Sequence, residues 1–307
     1  MLVKNPPVEV GDRLWMLGTA AYPVYLIRGR NEGAIVEGGI SAVGTLLRRQ
    51  LAELKIGPEF VRQAVVTHAH PDHVMAIPLM REMFPGIGVA ASEPAAATLR
   101  AEKAISFFRQ MDASLSDALR KADLITDPPS PPALAENCIA VDRVVREGDV
   151  IAVEDMAWTV LETPGHSDCS ISLYDAARRM LLISDATGYY LPVGNTWWPN
   201  YFSGYAAYLH SIERLAGLDA EVLCLSHNGA ICGADDVRAY FAGALAATRQ
   251  YHERIVTETA SGKSSRQLAE ELGAAIHQQA PLLPLEFFQK NCGLLVKQSL
   301  RYEEKRG

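Results

Sequence analysis

No uninterrupted apolar run in this 307-residue chain approaches the roughly 18 residues that a spanning helix needs. That excludes a helical membrane protein. Cysteine is sparse and unpatterned: Cys138, Cys169, Cys224, Cys232 and Cys292 are odd in number and form no C-x-x-C pair. They read as free thiols of a reducing cytoplasm, neither a disulfide framework nor a zinc knuckle. Basic excess is also missing. The net charge is −7 and the pI about 5.7, which argues against broad affinity for nucleic acid. The start, MLVKNPPVEVGD, holds no apolar segment, so no signal peptide and a cytoplasmic location are expected.

What remains is ample for a folded enzyme. Hydrophobic residues make up 49% of the chain, enough to bury a sizeable core. Short β-rich runs, RLWML (13–17), VYLIR (24–28) and AIVE (34–37), are separated by turn residues. Ser41 is placed to cap a helix whose apolar positions are Leu46, Leu47, Leu51 and Leu54. A short strand at 64–67 precedes a helical stretch from about 94 to 124, with Phe107, Phe108, Met111, Leu115 and Leu119 on one stripe. A Pro-rich loop follows at 127–137. Strand signals resume at 141–145, 150–153, 158–162, 170–174 and 180–183, then a helix at 205–215 and a strand at 221–225. From Asp235 onward the pattern is helical, with a capping box at Ser264 and Gln267 and a last helix opened by Pro284. Two β-rich stretches, each followed by helix, suggest two stacked sheets with helices outside.

One stretch carries chemistry. VVTHAHPDHV (65–74) puts His68, His70, Asp72 and His73 inside six residues at the end of an apolar strand. Imidazole and carboxylate are good ligands for a borderline divalent cation. Further candidates also end apolar strands: His166 in TPGHS, Asp185 after MLLIS and His227 after EVLCLS. Five of the eight histidines occupy such positions, and His210, His252 and His277 fall inside predicted helices as surface or satisfied residues. Together the strand-end residues form a ligand set for two adjacent ions.

H-x-H-x-D-H followed by a later His, Asp and His resembles the metallo-β-lactamase superfamily. The resemblance implies an αββα sandwich over residues 1–233, with a helical insertion at about 94–137, and leaves 234–307 as a helical extension. It implies His68, His70 and His166 on one metal, Asp72, His73 and His227 on the other, and Asp185 bridging. Two divalent ions, zinc foremost with iron or manganese as alternatives, would then share a hydroxide that attacks a carbonyl carbon, with Asp72 orienting it or taking its proton. VEGGIS (36–41), GHSD (165–168), YLHSIERL (208–215) and LPLE (283–286) are similar to a narrower branch, the quinolone-signal response proteins that act as 2-aminobenzoylacetyl-coenzyme A thioesterases. That branch shares Glu37 where most of the superfamily has Asp, a position that the resemblance implies orients the last histidine, His227, from behind it. Tyr189 falls where the branch has a carboxylate, so the resemblance implies the reaction class and not the same molecule.

The expected function is thioester hydrolysis, since a thiolate leaves without a dedicated general acid. Lactone or S-lactoylglutathione hydrolysis is the alternative on the same metals, and a metal-bound regulatory protein acting through a partner is a third. The expected substrate is a small thioester or ester, with neither nucleic acid nor membrane as partner. Tyr189, Trp197 and Trp198 are candidates for a substrate pocket, with core packing under a long loop as the other reading. Phe107, Phe108, Phe287 and Phe288 are candidates for a lid. Arg109, Arg120 and Lys121 are the candidate phosphate-binding cations, against a plain solvated helix face. The Leu- and Ala-rich tail suits either a homodimer face or closure of the pocket.

Overall fold

The computed structural model describes residues 1–125 and 137–306. The expected Pro-rich loop at 127–137 lies outside them except for Asn137. The chain divides into two compact units. One comprises Met1–Glu162, Cys169–Ser184 and Ala220–Ala234; the other comprises Thr163–Asp168, Asp185–Asp219 and Asp235–Gly307.

The first unit contains two seven-stranded sheets. One runs in spatial order Val8–Gly11, Leu14–Gly18, Pro23–Arg28, Gly33–Val36, Val61–Val65, Gly88–Ser92 and Arg143–Val145. Its first four strands form an antiparallel meander. From Gly33–Val36 onward the neighbours are parallel, which the intervening helices make feasible. The other sheet runs Leu2–Val3, Ala230–Cys232, Val222–Cys224, Met180–Leu182, Ile171–Asp175, Met156–Glu162 and Val150–Val153. A single core joins the inner faces: Met16, Tyr25, Ile27 and Val65 from the first sheet meet Trp158, Val160, Leu173 and Leu182 from the second. This is the α/β, two-sheet architecture that the resemblance implied. Alternate residues along Met156–Glu162 are buried, as expected for a strand with one face on a core.

Two local expectations are corrected. Ser41 does not cap a helix. It opens a 3-10 turn, Ser41–Val43, and both its backbone N–H and its hydroxyl are taken by the Asp112 carboxylate, so the helix Gly44–Glu53 starts without a side-chain cap. The stretch from 94 to 124 is not one helix. It breaks at Ala101 between Glu93–Arg100 and Glu102–Lys121, because the Leu99 carbonyl accepts from the Ile139 N–H, a partner distant in sequence.

The second unit holds the helix Tyr205–Ala216, a hairpin of Tyr189–Leu191 with Thr196–Trp198, and the helices Ala234–Ala260, Ser265–Gln279 and Leu285–Glu304. The hairpin lies in what the sequence suggested was loop. The capping box forms as expected, with Ser264 and Gln267 satisfying each other's backbone N–H groups. Helices Ser265–Gln279 and Leu285–Glu304 pack closely at Gly273, where a Cβ would meet the backbone of Gln289 at 2.6 Å. Among the described residues, no helix is long and apolar enough to cross a membrane.

Candidate metal centre

In the first unit the strand Val61–Val65 delivers Thr67 and His68, and the 3-10 turn Pro71–His73 follows at once. That turn is pinned by a 2.8 Å bond from the Gly38 N–H to the His73 carbonyl. His227 arrives from a second tight turn, Ser226 to Gly229. The Tyr25 hydroxyl holds that turn, facing the carbonyls of Leu225 and Gly229 at 2.6 and 3.0 Å. Asn228 and Gly229 both take left-handed backbone there, which closes the turn tightly enough to aim the imidazole.

Asp72, His73 and His227 thereby offer ligand atoms within 4.8 Å of one another. The Asp72 carboxylate oxygen lies 3.4 Å from His73 Nε2 and 3.5 Å from His227 Nε2. A tetrahedral ion with bonds of about 2.1 Å separates its ligand atoms by about 3.4 Å, so the spacing suits a single zinc-sized cation. His68 Nε2 and His70 Nδ1 lie 3.1 Å apart in the same unit. In the second unit, His166 Nε2 lies 3.3 Å from an Asp185 carboxylate oxygen, and both residues are buried.

The tautomers agree with this donor set. His227 Nδ1 faces the Ala21 carbonyl at 2.9 Å, and His166 Nδ1 faces the Asn200 carbonyl at 3.0 Å. A carbonyl only accepts, so each Nδ1 carries a proton, and Nε2 is the ring nitrogen left to act as a ligand. Glu37 lies behind His73, with His73 Nδ1 2.8 Å from Glu37 Oε2, and not behind the last histidine, His227, whose Nδ1 faces Ala21 instead. Lone pairs and carboxylate oxygens converging in a buried place are a cation's environment. Burial opposes ionisation of Asp72, but the charges of His73, His227 and His70 and the His73 hydrogen bond outweigh it. They hold the carboxyl well below its usual range.

A family model for the metallo-beta-lactamase superfamily matches residues 18–227. The chain belongs to that superfamily. An acyl-coenzyme A thioesterase of Gallus gallus is 27% identical over 219 residues, covering 68% of this chain and 71% of its own length. A probable metallo-hydrolase of Bacillus subtilis (strain 168) is 26% identical over 185 residues, covering 57% of this chain and 53% of its own length. Among solved structures, a metallo-beta-lactamase family protein from Thermus thermophilus superposes with TM-score 0.64 at 23% identity, covering 95% of this chain and 94% of that one. MEM-A1, a subclass B3 metallo-beta-lactamase from a soil metagenome library, superposes with TM-score 0.59 at 18% identity, covering 84% and 98%. The protein is thus a superfamily member whose fold and His/Asp clusters are compatible with divalent-metal hydrolysis.

Several expected site residues have other surroundings. Trp197 is buried against Tyr190, Tyr240 and Gly243, and Trp198 packs on Phe202 and Phe288, so both contribute to the core of the second unit. Tyr189 is half-buried at the start of the hairpin. Phe107 is exposed and Phe108 buried. Arg120 and Lys121 pair with Asp117 on their own helix, and Arg109 with Asn137. His252, expected as a satisfied helix histidine, stacks on Tyr205 at 4.0 Å and lies 3.2 Å from Glu303.

Sequence reasoning missed Thr67, Ser184 and Tyr22. Thr67 and Ser184 contact each other and the candidate ligand His68, and the Tyr22 ring meets His227 edge-on at 5.3 Å. The available signal was position. A hydroxyl residue directly precedes His68 and another directly precedes Asp185, each closing an apolar strand.

Proposed function

We propose that the protein is a metal-dependent thioesterase that cleaves an acyl-coenzyme A-type thioester. The observation that carries this reading is the acyl-coenzyme A thioesterase of Gallus gallus, which aligns over 68% of the chain within a family of shared fold. The chemistry agrees: a thiol of pKa about 8.5 leaves without a protonating residue.

Asp72, His73 and His227 would hold one ion. On the superfamily's ligand pattern His68, His70, His166 and Asp185 would hold the other. Zinc is the first candidate and iron or manganese the next. When bound, such ions supply Lewis acidity toward water and toward the carbonyl oxygen. Asp72 orients the attacking water or accepts its proton, and Glu37 fixes His73 from behind. The narrower resemblance to the 2-aminobenzoylacetyl-coenzyme A thioesterases supports an aromatic acyl group, with Tyr189 altering the pocket. Five scattered cysteines with no C-x-x-C pair suit a reducing compartment such as the cytoplasm.

Thiol release from a panel of acyl-coenzyme A thioesters, beside lactone and S-lactoylglutathione controls, tests this with metal-loaded protein and His70→Ala. Release that disappears in the variant is the expected result. Turnover of a control alone would move the activity to another ester, and no turnover with two metals bound would overturn the hydrolase reading.

A further inference from the structure

Behind the ligand histidines of the first unit runs a continuous hydrogen-bonded chain. Glu37 Oε2 lies 2.8 Å from His73 Nδ1, and Glu37 Oε1 lies 2.9 Å from Thr67 Oγ1. Thr67 Oγ1 lies 2.7 Å from Ser184 Oγ, which in turn lies 2.9 Å from His68 Nδ1. All five residues are buried. Each hydroxyl has one proton, so the direction of the whole chain can be worked out.

The Glu37 carboxylate only accepts, and Thr67 therefore spends its proton on Oε1. Toward Ser184, and toward His68 Nδ1 at 3.4 Å, Thr67 can then only accept. Ser184 must donate to Thr67, which leaves its own oxygen as the acceptor facing His68. His68 consequently carries its proton on Nδ1 and presents the Nε2 lone pair. By its other oxygen the same carboxylate fixes the same tautomer on His73.

We infer that Glu37, through Thr67 and Ser184, is one proton-orienting device that sets the tautomer of two ligand histidines, His68 and His73. Thr67 and Ser184 are accordingly positioning residues for His68. Backbone conformation supports this. Glu37 (φ 78°) and Ser184 (φ 50°) both occupy the left-handed region that non-glycine residues avoid. Both ends of the hydroxyl relay are thus held in unfavourable conformations that aim their side chains inward. The glycine that follows Glu37 allows the His73 carbonyl to approach, since a Cβ on Gly38 would lie 2.5 Å from it. The metal-ligand role of the two histidines rests on the proposed function, whereas their tautomers do not.

The test is two-bond 1H–15N correlation of the imidazoles in the 15N-histidine-labelled full chain, with and without zinc. It compares wild type, Thr67→Val, Thr67→Ser and Glu37→Gln. Valine keeps threonine's shape and removes the hydroxyl. Wild type is expected to show His68 and His73 both protonated on Nδ1. Thr67→Val is expected to disturb His68 and leave His73 as it was, Thr67→Ser to restore His68, and Glu37→Gln, whose amide keeps one acceptor and adds one donor, to disturb one of the two histidines and leave the other. Zinc affinity by chelator competition is expected to fall about tenfold in Thr67→Val and to return in Thr67→Ser. The inference is overturned if Thr67→Val leaves His68 unchanged, if it shifts His73 equally, or if Glu37→Gln leaves both histidines unchanged. Failure of the wild type to bind zinc would overturn the proposed function, and the zinc-free spectra would still decide the relay.

Discussion

Replacing Gly38 by alanine reaches the candidate centre without altering any ligand. A Cβ at Gly38 meets the His73 carbonyl oxygen at 2.5 Å, Ile77 Cγ1 at 2.8 Å and Val74 Cα at 2.9 Å. Two of the three obstacles are backbone and cannot rotate aside. The Gly38 backbone itself is unstrained, so the cost is one of space. Overpacking of this kind costs about 1–3 kcal/mol. The Gly38 N–H bond to the His73 carbonyl would stretch or break, adding about 1 kcal/mol. Gly38→Ala is therefore expected to destabilise the protein by about 2–4 kcal/mol. Because the displaced carbonyl belongs to a proposed ligand, divalent-metal affinity is expected to fall as well. Gly57→Ala is the matched control: nothing lies within 4 Å of its Cβ and its φ lies outside the left-handed region. There the same substitution should stabilise by about 0.4–1 kcal/mol through the unfolded chain. Urea denaturation of the three proteins, followed by zinc competition with a chromogenic chelator, measures both effects. Equal midpoints for Gly38→Ala and Gly57→Ala, or unchanged zinc affinity in Gly38→Ala, would refute the reasoning.

Other expectations are simpler to check. Burial pushes the Cys292 thiol up to about 12 and raises Cys224 well above its ordinary value, so a disulfide reagent at pH 8 should leave both unmodified until the protein is denatured. Burial, opposed by the Ser41 hydrogen bonds and reinforced by the Asp72 charge, raises the Asp112 carboxyl. A raised acid favours the folded state below its unfolded value of about 3.9 and loses that contribution as the pH climbs through its folded value. Wild-type stability relative to Asp112→Asn should accordingly decline as the pH rises from about 4 toward neutrality, and a flat difference across urea midpoints would contradict it. Removing metal with a chelator should lower the unfolding midpoint, by about 2.7 kcal/mol if the ion had been present at a hundred times its dissociation constant, and re-adding zinc should restore it.

Much of the fold could be read directly because its causes are local. Strand 156–162 buries Met156, Trp158 and Val160 at every second position, the Ser264–Gln267 capping box needs only three residues of spacing, and the H-x-H-x-D-H run is contiguous. The failures were long-range. Ser41 looks like a cap until Asp112, 71 residues away, takes its hydroxyl. The helix from 94 breaks because Ile139 captures the Leu99 carbonyl. The Trp197–Trp198 pair could serve a pocket or a core on sequence grounds, and its packing on Tyr240 and Phe288 comes from helices far along the chain.

The sequence alone determined which residues are the candidate metal ligands and that they close apolar strands, because ligand type and strand period are written residue by residue. Only the tertiary structure decided how those ligands are oriented. The groups that fix their protons are the carbonyls of Ala21 and Asn200 and the relay from Glu37 through Thr67 and Ser184. A backbone carbonyl has no sequence signature, and Ser184 acquires its role by meeting a residue 117 positions earlier in the chain.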